Sequence, residues 1–216
     1  MDLSQFYYFY CWKNPFWGTP EVTFEKFKQF YSTGVLFSAH PVPGAREGIQ
    51  ALKDLGYKLV IVTARSVDVA DASYEWVEKY FPGQFSNIVF TGQFSDASKL
   101  HHKEILTHLT KGQICASLKA QVLIDDSAEN ALQVSTAETA TRVLLFGDYE
   151  WNKRISLTGN ASDHMSFDER LAACDGREFW KEETLEVPDG APLERAKDWG
   201  EVIRWVKRAK EEGRIE

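Results

Sequence analysis

Three cysteines in 216 residues, Cys11, Cys115 and Cys174, are odd in number and widely spaced. That excludes a disulfide framework, and they read as reduced thiols of a cytoplasmic protein. No apolar run is long enough to span a bilayer, so no membrane partner is expected. The opening stretch MDLSQFYYFYCWK lacks the basic flank and small-residue cleavage site of a secretory leader. Positive charge is scarce as well: 25 Lys and Arg against 32 Asp and Glu give a formal charge of −7, with a pI near 5.3. A nucleic-acid polymer is therefore not the expected partner, because such binders show a basic face. A local basic pocket for a small anion is still compatible with that balance. What the chain does have is 44% hydrophobic and 13% aromatic residues, enough for one sizeable core. It contains no internal repeat and no low-complexity segment.

From residue 44 onward the pattern is regular. Ala45, Ile49, Leu52 and Leu55 recur at helical spacing, and Gly56 sits where that helix would end. KLVIVT (58–63) is a near-continuous aliphatic run, the mark of a strand buried on both faces. A helix follows, with Val69, Ala72, Trp76 and Tyr80 expected on its inner face. Further strands are expected at NIVFT (87–91), QVLI (121–124) and RVLLF (142–146). Helices are expected over KGQICASL (111–118) and from about Ser127 to Ala137. Strands alternating with helices imply an α/β fold with a parallel sheet covered on both faces. Residues 1–40 are rich in Phe, Tyr and Trp without clean periodicity, and 147–197 read as polar loops without a strong core signal. Asp198 and Glu201 make a capping-box arrangement for a final helix that turns Trp199, Val202, Ile203 and Val206 inward.

Right-handed crossovers bring all the loops after strand C-termini to one edge, and in open α/β sheets that edge holds the ligand. Three features fall there. Thr63 ends a strand in VIVTARS, and a helix near Ser66 follows. A hydroxyl, free backbone N–H groups around Ala64 and Arg65, and a helix dipole suit a phosphate; Arg65 adds a fork of donors. The plain alternative is a strand-terminating threonine with a surface arginine. Asp125 and Asp126 form the second feature, in VLIDDSAEN. Mg²⁺ prefers one or two carboxylates, completed by water and substrate phosphate. Asp126 with Glu129 also spells a capping box for the following helix, and both readings of Asp126 stand. Third, Lys111 opens a helix, where a cation opposes the macrodipole unless an anion compensates. Lys99 and Lys103 in SDASKLHHKEIL are rivals for that role, whereas the adjacent His101 and His102 do not make a metal site. Trp12, Phe16 and Trp17 could stack on a base or other ring, or could simply pack.

P-x-P-G-A (41–45), KLVIVTARS, the lysine-headed helix and VLIDDSxxN, in that order, resemble the haloacid dehalogenase superfamily. The nearest likeness is to its 5′(3′)-deoxyribonucleotidase-like branch, including fungal members with a similar FGDYEWNKR segment (146–154). The resemblance implies a three-layer Rossmann-like core over 41–155, a cap-like aromatic segment over 1–40, and a C-terminal extension over 156–216 whose last helix packs on the core. It implies Mg²⁺-dependent hydrolysis of phosphate monoesters, nucleotides among them. In that scheme Thr63 bonds the phosphoryl group, Lys111 neutralises it, and Asp125 with Asp126 holds the cation.

The family's nucleophile motif, D-x-D-x-[T/V], does not occur in the chain. The resemblance places it on a central strand between those ending at Thr63 and Asp125, ahead of the aromatic segment. Without that strand two inner strand edges lack partners, at about 1–3 kcal/mol for each orphaned buried group. QFYYFYC (5–11) has the aromatic β-propensity to occupy the slot but carries no acid, and an exposed sheet edge offers a route to oligomerisation. Three expectations follow: a Mg²⁺-dependent phosphohydrolase with the aromatic segment as cap, a non-catalytic member that binds a phosphorylated ligand or a protein, or a chain whose full-length parent is the enzyme; the missing nucleophile predicts negligible phosphatase activity for the polypeptide as written.

Overall fold

A computed structural model describes residues 2–65, 69–91, 105–106 and 109–216. In chain order its elements are α1 (Pro20–Ser32), α2 (Ala45–Asp54), β1 (Val60–Thr63), α3 (Ala70–Tyr80), β2 (Asn87–Phe90) and β3 (Ile105–Leu106). They continue with α4 (Lys111–Ser117), β4 (Val122–Asp125), α5 (Ala128–Ser135), β5 (Arg142–Phe146), α6 (Phe167–Ala173), β6 (Leu193–Ala196) and α7 (Trp199–Glu211). Each strand pairing is parallel, so the α/β class read from the alternating pattern holds. The expected single sheet does not: the strands form two sheets of three, ordered β1-β2-β3 and β4-β5-β6. None of the described helices is long and apolar enough to cross a membrane.

The chain divides into two compact units. One comprises Met1–Leu36 with Val122–Lys197, and the other Phe37–Gln121 with Asp198–Glu216.

In the second unit β1 pairs with β2 in register from Val60↔Asn87 to Thr63↔Phe90. Ile88 and Phe90 pack with Ala70 and Val77 of α3. The buried face of α3 is thus Ala70, Ser73 and Val77. The expected face, with Ala72, Trp76 and Tyr80, is rotated from the observed one, because the large aromatic rings are accommodated at the margin of the core. Trp76 and Tyr80 instead join a second cluster around Ala45, Ile49 and Phe81, on which Trp199 of α7 also packs. Helix α2 begins after Gly44, whose φ of 77° needs no Cβ, and it buries Ala45, Gly48, Ile49 and Leu52.

Gly48 lets the Trp199 ring lie directly on α2: a Cβ there would meet Trp199 Cδ2 at 2.7 Å. In an exposed helix Gly→Ala stabilises by up to about 1 kcal/mol. Here overpacking of ~1–3 kcal/mol reverses the sign. Gly48→Ala is expected to destabilise by about 1–2 kcal/mol in a denaturant melt; a stabilised variant would show that the Trp199 contact is not formed.

In the first unit β5 is the central strand, and Val143, Leu144 and Leu145 are essentially fully buried. Ala128, Ala131 and Val134 of α5 are equally buried. The partner strand β6 reads LERA, with two exposed charged residues in its middle. That is how natural sheets blunt an edge, and it is also why no strand pattern shows in the sequence.

The N-terminal aromatic stretch is not a strand. Short 3-10 turns at Leu3–Gln5 and Cys11–Lys13 flank a bent piece without regular structure, from which Tyr8 inserts among Phe167, Phe179 and Trp180. The stretch therefore packs on Phe167, Phe179 and Trp180, so the region 147–197, expected to be loop, holds an aromatic cluster completed by Tyr8. Tyr8 and Arg170 both bond Glu183. Arg170 also lies 4.0 Å over the Phe179 ring. Burial, then the bond to Glu183, pushes the Tyr8 phenol up.

Candidate functional site

At the carboxyl end of β4 the chain leaves the sheet and enters α5 almost at once. Asp125 is buried, and its Oδ1 accepts from Ser127 N (3.0 Å) and Asn130 Nδ2 (3.1 Å). This is the conformation expected of an acid at a strand-to-helix junction, where the first N–H groups of the helix want an acceptor. Ser127 is the N-cap, its Oγ accepting from Asn130 N at 3.2 Å.

The capping box expected from Asp126 and Glu129 is therefore not formed. Glu129 bonds Ser127 Oγ (3.3 Å) and the backbone N–H of Ser156. Asp126 turns away and accepts the Trp151 indole N–H at 3.0 Å. Adjacent residues of an extended chain point to opposite sides, so the serine that follows the pair does the capping.

The loop after β5 completes this end of the first unit. Gly147, at φ 89°, turns the chain so that Tyr149 and Trp151 stack with centroids 4.1 Å apart and planes within 6°. Burial, then the Asp126 carboxylate, holds the Tyr149 phenol above its ordinary value. Asn152 is fully buried and fixes the loop by donating to Phe146 O and Gly147 O, both at 3.0 Å. Sequence reasoning missed Tyr149, Trp151 and Asn152 as determinants of the acidic pair. The available signal was the position of FGDYEWNKR immediately after the strand parallel to β4, on the edge where the two loops must be neighbours.

For a hard dication, two carboxylates on one strand end are an adequate protein contribution when water and a ligand oxygen complete the shell. Asp125 and Asp126 supply two carboxylates at that strand end, but Asp125 is bonded to Ser127 N and Asn130 Nδ2 and Asp126 to Trp151 Nε1 on the other side of the chain. Among the described residues no cluster of three or more His, Cys, Asp or Glu side chains gathers, so these residues offer no closed metal cage.

The other sequence-singled residues belong to the second unit. Thr63 is the last residue of β1; its Oγ1 accepts from Arg65 N at 3.2 Å and its carbonyl from Thr91 N at 2.9 Å. A threonine whose hydroxyl is bonded two residues on is a turn-former. Ala64 is exposed. Arg65 Nη1 donates to Ser73 Oγ of α3 at 3.3 Å, so the guanidinium ties the loop to its helix. Ser66, Lys99, His101, His102 and Lys103 lie outside the described residues. Lys111 is the first residue of α4 and partly buried, with Thr110 as N-cap in a capping box with Gln113.

The three aromatics singled out differ among themselves, and all lie in the first unit. Trp12 stacks on Tyr10 with centroids 4.8 Å apart, and its buried Nε1 has no partner among the described residues. Trp17 packs between Phe6 (6.2 Å) and Phe27 (5.5 Å). Phe16 stands in solvent.

No family model, no curated protein and no solved structure matches the chain.

Proposed function

We propose that this polypeptide is a haloacid dehalogenase-like relative of Mg²⁺-dependent phosphohydrolases that binds a small phosphorylated molecule, nucleotides being the first class to test, without hydrolysing it. The observation that carries the reading is the position of Thr63 and Asp125. Each is the last residue of a parallel strand, and each strand is the first in its sheet order. Parallel sheets bind ligands at the carboxyl ends of their strands. In this reading Thr63 Oγ1, the Ala64 N–H and the Arg65 guanidinium donate to phosphate oxygens, and Lys111 supplies positive charge. Asp125 and Asp126 would hold Mg²⁺, which supplies charge neutralisation when bound. The absence of D-x-D removes the aspartyl nucleophile on which covalent phosphoryl transfer depends. Loss of a nucleophile costs several orders of magnitude in rate.

The full chain is therefore expected to release no phosphate from para-nitrophenyl phosphate with Mg²⁺. It should still bind inorganic phosphate or a nucleoside monophosphate in calorimetry. Thr63→Val with Lys111→Ala should weaken that binding at least ~10-fold, since hydrogen bonds to charged groups contribute ~1.5–3 kcal/mol each. Phosphate release that Asp125→Asn abolishes would overturn the non-catalytic assignment. Binding that the double variant leaves unchanged would overturn the phosphate site.

A further inference from the structure

We propose that the cavity between α3 and the amino end of β2 is a binding site for a small organic amine, an ammonium group carried on a ring by a short apolar arm. The cavity has a volume of about 250 Å³ and lies wholly within the second unit. Its floor is core: Val77 and Ile88 are buried and belong to the cluster that joins α3 to β2. Two half-buried rings, Tyr74 and Phe85, pack against that cluster and form the walls. Tyr74, Val77 and Glu78 stand at i, i+3 and i+4 of α3, so the helix presents them together on one face.

Glu78 is the one charged residue in the lining, to which no lysine or arginine contributes. Its carboxylate is half-buried and, among the described residues, takes part in no hydrogen bond or ion pair. Lys79 beside it is turned elsewhere, 5.0 Å over the Tyr80 ring. The Ser86 hydroxyl is already committed to Leu59 O at 3.0 Å, so the choice of ligand falls to Glu78.

A carboxylate set against apolar surface loses hydration without return. An ammonium group restores the balance through a charge-assisted hydrogen bond, and the faces of Tyr74 and Phe85 attract the same cation. An anion meets repulsion there, and a neutral ring leaves Glu78 unpaired. Size agrees: a dry cavity of ~150 Å³ already takes benzene, so this one has room for a ring and a short arm. Apolar walls with few polar groups are the usual build of a small-molecule site. The cavity sits where β2 begins, at Asn87, whereas Thr63 pairs with Phe90 at the strand's other end. It is therefore separate from the phosphate reading and stands without it.

The probe is phenethylamine, titrated into the full chain and followed in nitrogen–proton correlation spectra, with phenylacetate and 2-phenylethanol as its anionic and neutral counterparts. Phenethylamine is expected to bind with a dissociation constant of about 1 mM or tighter, within reach of a ligand of its size, and to shift the amides of Val77, Gly83 and Ile88. Phenylacetate should bind at least ~10-fold more weakly, and Glu78→Gln should bring phenethylamine down by at least ~10-fold, to the level of 2-phenylethanol. The comparison of amine with acid on the native protein decides the matter even if the variant fails to fold. Amides that do not move with phenethylamine up to about 10 mM would overturn the proposal. Equal binding of phenylacetate would overturn it too, as would a folded Glu78→Gln variant that holds phenethylamine as tightly as the native chain.

Discussion

Replacing Asn14 with alanine is expected to lower the unfolding free energy by about 3 kcal/mol, for a side chain with no catalytic role proposed. Asn14 has no solvent exposure. Its Oδ1 accepts from Tyr8 N at 2.9 Å, and its Nδ2 faces Tyr8 O (2.9 Å), Tyr10 O (3.1 Å) and Cys11 O (3.3 Å). One amide thus serves a stretch that is neither helix nor strand and cannot satisfy its own backbone. Truncation orphans at least the Tyr8 N–H and carbonyl in a buried setting, at ~1–3 kcal/mol each. The loss spreads, because these bonds hold Tyr8 in register with Phe167, Phe179 and Trp180. For a chain of this size ~2–4 °C per kcal/mol translates the loss into a melting temperature lower by about 6–12 °C. Near-UV circular dichroism should report the freed aromatics. Asn14→Asp keeps the acceptor for Tyr8 N–H but gives up the donors and buries a charge, so it should cost at least as much. An Asn14→Ala loss under about 1 kcal/mol would mean that the stretch is held by ring packing alone.

The same residue shows where sequence reading succeeds and where it stops. Strands β1, β2, β4 and β5 were legible to within a residue or two because they are short apolar runs bounded by helices, and Gly56 marked the end of α2 by its φ of 95°. Helix caps were legible by residue type, as at Asp198, which accepts from Glu201 N at 2.8 Å. They were misassigned where two candidates stood side by side, as at Asp126 and Ser127. What periodicity could not reveal is packing without a period. QFYYFYC has strand-like composition, but it is organised by Asn14 from six residues downstream and by rings from 159 residues or more further on. Strand β6 failed for a related reason: a polar edge strand has no apolar alternation to detect. The positions of Thr63, Asp125 and Lys111 at the ends of β1 and β4 and the start of α4 were legible, because chemistry-bearing residues at strand and helix ends stand out against aliphatic surroundings. The indole that grips Asp126 was not, since its relation to β4 depends on which strand lies beside it in the sheet.

That indole makes Gly147 the position with the largest expected effect on the acidic pair. At φ 89° an L-residue is strained by about 1–2 kcal/mol. A Cβ there would also lie 2.8 Å from Tyr149 Cζ and closer still to Cε2 and Cδ2 of the same ring. The ring must move, and with it goes the stack on Trp151, worth ~0.5–1.5 kcal/mol beyond its buried area. Gly147→Ala should therefore destabilise the protein by about 3 kcal/mol in a denaturant melt. Trp151 would lose its fixed orientation and its N–H would leave Asp126 Oδ2, so its indole proton resonance, read in a nitrogen–proton correlation spectrum, should shift and broaden. Tyr149→Ala separates the two effects: it removes the ring that the new Cβ would strike, so in that background Gly147→Ala should cost only the backbone strain of about 1–2 kcal/mol. Equal costs in both backgrounds would show that the Tyr149–Trp151 stack is not what holds the loop, and that Asp126 is oriented by other means.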